Sequence, residues 1–142
     1  MTKMLDRELD GVLNQPIHRA AGLEIVSIVN GECEIRYQVN DTTANPHGKL
    51  HGGVMCLMHD VAGFLAVASL LSADQHASTA ETHTSILRPA NRGETIIVRA
   101  KVDRVGRTLA FMRSETFARG SDGKERLIAT GALTKAVVSV SP

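Results

Sequence analysis

Asp60 stands inside "VMCLMHDVAGFLAVASLL", residues 54–71, where almost every other side chain is apolar. A lone carboxylate in dry surroundings is expensive. It is either a structural acid, satisfied by a backbone amide or by an arginine at a subunit contact, or a carboxylate kept in a partly dry pocket to attack an electrophile or deprotonate water. The residues just before it bear on the choice. "LHGG" puts Gly52 and Gly53 where the apolar run begins. At a helix start the first N–H groups have no intrahelical partner and carry the positive end of the helix dipole. Without side chains, Gly52 and Gly53 let a ligand oxygen approach that backbone, as an oxyanion site requires. A flexible loop-to-helix joint is the plain alternative, and an acid seven or eight residues later favours chemistry. Along the helix axis Asp60 lies more than ~10 Å from Gly52. One chain cannot easily bring both to a single carbonyl; a dimer pairing one chain's helix start with the other chain's Asp60 would.

Other chemistry-bearing residues carry weaker readings. His59 precedes Asp60 by one position, about 100° away around a helix, so the two are not expected to form a dyad. His47 and His51 have metal-ligand spacing, but Pro46 and Gly48 make that stretch a loop and no metal is expected. Cys56 lacks an activating base and reads as packing. Glu81 and His83 share a strand face with Thr79 under simple alternation and could line a pocket, although exposed strand positions are the plainer account.

The elements that must hold these residues follow from periodicity. Met4–Leu13 has the spacing of a short amphipathic helix, ended by "NQP". "GLEIVSIVNGECEIRYQV" is two β-rich runs around Asn30-Gly31, which favours a type I′ hairpin turn. Residues 41–50 form a loop. Gly52–Leu71 is a helix, apolar nearly all round and therefore buried on most sides. On it Gly53, Asp60 and Val67 share a face, with Cys56, Leu57 and Phe64 beside them. Asp60 is thus expected to project from an apolar stripe and not from a solvated edge. His76–Leu87 reads as a strand. "ETIIVRAKVDRV", "LAFMRSETFAR" and "ERLIATGALTKAVVSV" are three more, joined by short turns as antiparallel neighbours. The order predicts one α+β domain spanning residues 1–142: a single sheet curled around one long helix.

Composition removes several classes of function. Sixteen basic and fifteen acidic residues leave a formal charge of +1, which gives no electrostatic argument for nucleic acid or an anionic membrane. With no Trp, one Tyr and three Phe there is little surface on which to stack bases. The N-terminus lacks an apolar signal region. A membrane span over 54–71 would put His59 and Asp60 near mid-bilayer, at a cost of a few kcal/mol. Cys33 and Cys56, both in apolar-patterned stretches, read as reduced buried thiols, and a cytoplasmic location is expected.

"NPHGKLHGG", Asp60 on the following helix, "THTSILRPANRGE" and "VGRTLAF" together resemble the hotdog-fold acyl-CoA thioesterases of the phenylacetic-acid-degradation type. "PIHRAAGLEIV" resembles that family's approach to its first strand, so the likeness covers nearly the whole chain. It implies a strongly curved antiparallel sheet around one long helix, and a homodimer, often paired into a tetramer, with active sites across the dimer interface. Carried over residue by residue, Asn45 and the Gly52 N–H would polarise the thioester carbonyl and His51 would shape that site. Asp60 of the neighbouring subunit would be nucleophile or general base. Thr79 falls where the family often has a hydroxyl that orients water. Gly106, Arg107 and Thr108 correspond to a turn that touches the CoA portion, and Arg88 could meet a phosphate. No cofactor is implied beyond the CoA of the substrate.

The expected reaction is hydrolysis of an acyl-CoA thioester to a free acid and CoA, with Asp60 either activating water or attacking to form a mixed anhydride. Met58, Val61, Phe64 and Leu65 are the expected walls of the acyl pocket. Two alternatives stand beside it: a non-hydrolytic acyl-CoA-binding protein, against which Asp60 argues, and a hydratase or dehydratase, for which neither His51 nor His59 supplies the expected histidine.

Overall fold

A computed structural model describes residues 3–140. Helix α1 (Met4–Asn14) and a short helix α2 (Pro16–Ala21) lead into strands β1 (Glu24–Val29) and β2 (Glu32–Gln38). The long helix α3 (Gly52–Ala68) follows, then β3 (Gln75–Ile86), β4 (Thr95–Val105), β5 (Leu109–Arg119) and β6 (Glu125–Ser139). The expected first helix is present, but Pro16 does not merely end it. Proline is pre-organised for the first helical position, so it starts α2, which Gly22 closes in the left-handed conformation at φ 75°. Asn30 and Gly31 have φ of 46° and 83°, the paired positive values of a type I′ turn. A Cβ on Gly31 would also come within 2.9 Å of Leu70 Cδ1, a side-chain end that would have to shift, so the turn geometry is what favours glycine here.

All six strands form one sheet in the order β1-β2-β4-β5-β6-β3, with every neighbouring pair antiparallel. Together with the single long helix laid on it, this is the hotdog fold. Inward side chains of β2 and β4, such as Ile35, Tyr37, Ile96 and Val98, pack against Met55, Met58, Ala62 and Leu65 of α3. Complete burial of a side chain such as Leu65 is worth ~1.5–3 kcal/mol. The sheet does not cover α3 all round. Gly53, Cys56, Leu57, Asp60 and Phe64 recur at helical spacing and stay partly open. Strand β3 pairs with β6 alone among the described residues, leaving its other edge free beside that stripe. Cys33 is buried as expected, and burial, reinforced by Glu34, pushes its thiol up to about 12; Cys56 is only half-buried.

Strand β3 departs from simple alternation. Thr79 pairs with Lys135 and Glu81 with Thr134, so Ala80 is an extra residue with no partner: a β-bulge. One added residue reverses the inward and outward positions beyond it. Thr79, ahead of the bulge and opposite Lys135, faces α3, while Glu81 and His83, beyond it, are exposed on the opposite face. Glu81 and His83 do not share a face with Thr79, contrary to the period-two reading.

Candidate active site

The loop before α3 is held by its own polar side chains. Asn40 Oδ1 accepts from the N–H groups of Thr42 (2.9 Å) and Thr43 (3.1 Å), and the buried Thr43 hydroxyl donates to the Gln38 carbonyl at 2.7 Å. Asn45 Oδ1 then accepts from His47 N–H (2.9 Å) and Lys49 N–H (3.1 Å). Its carbonyl-side oxygen thus shapes the loop, and its Nδ2 has no acceptor among the described residues.

His51 is the N-cap of α3. Its Nδ1 accepts the Gly53 N–H at 2.9 Å, which puts the ring proton of the neutral form on Nε2. An imidazole nitrogen serves here as the capping acceptor in place of a Ser, Asp or Asn oxygen. The Gly53 donor is thereby occupied, whereas the Gly52 N–H has no hydrogen-bond partner among the described residues. The open donor is Gly52. A Cβ there would sit 3.0 Å from Ile86 Cδ1, so the end of β3 closes down on the helix start. Asn45, Gly52, Met55, Ile86, Leu87 and Arg88 surround a cleft of about 360 Å³. Its apolar wall comes from Met55 and the β3 exit. Of the four expected wall residues, Met58, Val61 and Leu65 lie in the packed core and Phe64 alone is half-open.

Asp60 sits more than two turns further along α3. Its side chain is 35% exposed, so the stripe from which it projects is half-open and not buried. Two donors converge on its Oδ1: the Thr79 hydroxyl at 2.8 Å and the Lys135 ammonium at 2.7 Å. Lys135 also donates to Thr79 Oγ1 at 2.7 Å and lies 5.6 Å from the centroid of the Phe64 ring. The single Thr79 proton is directed at Asp60, so this hydroxyl acts on the carboxylate directly. Lys135 itself is only 1% exposed. The sequence reading missed it, although a signal was present: Gly131, Leu133, Lys135 and Val137 alternate on one face, which places a lysine in an apolar row.

His59 points the other way, into the sheet. Its ring bonds to the Ser114 and Thr116 hydroxyls, over Gly131. Burial lowers its pKa to about 4, so it is neutral near pH 7. It anchors α3 to β5 and makes no dyad with Asp60, as the helical geometry implied.

Within one protomer the candidate residues fall into two groups. Asn45, His51, Gly52 and Arg88 cluster at the start of α3, where the Leu87 and Arg88 N–H groups bond to the Ile128 carbonyl. Asp60 and Thr79 lie at the level of Lys135 on β6. The turn containing Gly106, Arg107 and Thr108 is near this second group, since Val137 N–H donates to the Thr108 carbonyl at 2.9 Å. From Ile128 to Val137 is ~30 Å along an extended strand, so one chain does not bring Arg88 and the 106–108 turn together.

Known proteins give this geometry a context. A family model described as the thioesterase superfamily matches residues 47–123, which include the end of the loop, α3 and β3 to β5. Human acyl-coenzyme A thioesterase 13 is 31% identical over 115 residues, covering 80% of this chain and 78% of that one. The crystal structure of a thioesterase family protein from Silicibacter pomeroyi aligns with a TM-score of 0.87 at 29% identity, over 96% of this chain and 98% of its own. A phenylacetic acid degradation-related protein from Ralstonia eutropha aligns at 0.76 with 29% identity, over 94% and 98%. An unpartnered amide at the start of the central helix, a held carboxylate further along it, and this likeness along nearly the whole chain lead to one statement: the chain belongs to the thioesterase superfamily, resembles its phenylacetic-acid-degradation type, and is a thioester hydrolase.

Proposed function

We propose that the protein hydrolyses acyl-CoA thioesters at composite sites, each built from the α3 start of one protomer and the Asp60 region of its partner. The carbonyl oxygen of the thioester accepts from the Gly52 N–H and from Asn45 Nδ2. These donors are fixed before substrate arrives, so they stabilise the oxyanion without reorganisation. Asp60 Oδ2, the oxygen that Thr79 and Lys135 leave free, takes a proton from water as it adds to the carbonyl carbon. The tetrahedral intermediate then collapses, expelling the CoA thiolate and leaving the free acid. Direct attack by Asp60, through a mixed anhydride that water cleaves, uses the same residues. Arg88 and the 106–108 turn belong to opposite groups within a chain, and a two-fold partner would bring them to the same substrate as contacts for its CoA portion.

The observation that carries this reading is the separation of the two groups along α3, beside an uncovered apolar stripe and a free β3 edge. A second copy laid antiparallel over that stripe would satisfy all three. The test is thiol release from acetyl-, octanoyl-, palmitoyl- and phenylacetyl-CoA, with Asp60→Asn as the control. General-base assistance is worth ~10²–10⁴ in rate, so the variant is expected to lose that much kcat and remain folded. Turnover by Asp60→Asn at the wild-type rate would make the acid structural. Binding without thiol release from any of these thioesters would favour the non-hydrolytic alternative.

A further inference from the structure

We propose that Lys135 is the positioning residue of this site: it fixes the Asp60 carboxylate so that a single oxygen, Oδ2, faces the reacting carbonyl. The inference rests on Asp60 being the reactive acid, and it adds a residue on which that assignment does not depend. An ammonium at 1% exposure is an unusual occupant of a strand's inward face, where β6 otherwise presents Leu133 and Val137. Burying a charge is unfavourable unless it is well paired, and a hydrophobic side chain of similar volume is often the more stable choice. A lysine here therefore calls for a role beyond stability.

Its bonding suggests which one. A carboxylate on a side chain with two rotatable bonds can present either oxygen. Lys135 and Thr79 both donate to Oδ1, at 2.7 and 2.8 Å, and Lys135 also holds Thr79 at 2.7 Å. The three groups form a closed triangle, in which Lys135 orients Thr79 as well as Asp60. The lysine's own position is set by register: Lys135 lies opposite Thr79 on β3 and opposite Ala110 on β5. Thr79 meets it from the inward face of β3, just ahead of the bulge at Ala80, and the Phe64 ring faces the ammonium from α3. Three rigid elements thus fix the triangle, and it leaves the free oxygen of Asp60 on the half-open edge of α3.

The experiment compares Lys135→Met, Lys135→Arg, Asp60→Asn and the Lys135→Met/Asp60→Asn pair, using the thioester of the panel that wild type turns over fastest. Misplacing a catalytic group by about 1 Å costs ~10²-fold, so Lys135→Met is expected to lose about that factor in kcat with KM changed less than about twofold. Lys135→Arg is expected to recover part of the loss. The lysine acts through Asp60, so in the Asp60→Asn background the Lys135→Met change should alter the residual kcat by less than about twofold. The affinity for a non-hydrolysable thioether analogue of the same substrate and the melting temperature are expected to hold, because Met fills the space. Wild-type kcat in Lys135→Met would overturn the proposal. So would a full additional loss in the double variant, or a loss of analogue binding to match the loss of rate. Wild-type turnover by Asp60→Asn would overturn the hydrolase reading itself, an outcome distinct from these.

Discussion

Acid should loosen this fold in a way traceable to one side chain, His59. Its ring is 1% exposed and held neutral between Ser114 and Thr116, with a pKa lowered to about 4 from 6.5 by burial. A charged imidazolium would be desolvated there, whereas an unfolded chain accepts the proton freely. Between the two pKa values the unfolded state binds more protons than the native one, so stability falls as pH falls. The contribution is intact above about pH 6.5 and is lost progressively down to about pH 4. The full difference of about 2.5 pH units corresponds to ~3.4 kcal/mol, of which ~2 kcal/mol is lost by about pH 5. The assay is urea denaturation at fixed protein concentration across this range, for wild type and for His59→Gln, which can keep hydrogen bonds to the two hydroxyls but cannot titrate. Subtracting one curve from the other cancels the remaining histidines and the carboxylates. Wild type should lose ~2 kcal/mol more than the variant between about pH 7 and pH 5. Parallel curves would refute the reasoning.

Two substitutions probe the elements on either side of α3. In Gly131→Ala the added Cβ would meet His59 Nδ1 at 2.1 Å and Ser114 Oγ at 2.6 Å, so the ring must leave its place; a loss of ~3 kcal/mol is expected in the same denaturation assay. Asn45→Asp keeps an oxygen to accept from His47 and Lys49 but removes the Nδ2 donor. It should leave the melting temperature within a few degrees of wild type while kcat/KM falls ~10²–10³-fold, and unchanged turnover would confine Asn45 to shaping the loop.

Much of the fold was legible because local chemistry and global topology agree. Asn30-Gly31 announces its turn, the apolar run from Val54 announces a helix with few solvated positions, and alternation in β4 separates Ile96, Val98 and Ala100 from Arg99 and Lys101. What was not legible depends on contacts distant in sequence. The bulge at Ala80 arises where β3 pairs with β6, and nothing in "ASTAETHT" marks it, so the orientations of Glu81 and His83 were misread. The openness of Asp60 reflects which arc of α3 the sheet leaves uncovered, which periodicity cannot give. Acid and cradle could be named from residue types and resemblance. The lysine beside the acid could not be assigned to it, since 75 positions separate the two and three strands intervene before β6 brings Lys135 to the same face. The short helix α2 was within reach: Pro16 and Gly22 are the start and stop signals of a helix.

The composite site is the central claim, and subunit complementation tests it most directly. Asp60→Asn chains and Asn45→Asp chains, each expected to be nearly inactive alone, are mixed under conditions that allow protomers to exchange. With random pairing, half the dimers are mixed, and a site shared across a two-fold interface leaves one of their two sites intact; recovery of about one quarter of wild-type turnover is expected. A site contained within a single chain would carry a defect in every copy, and a mixture no more active than its parents would contradict the account.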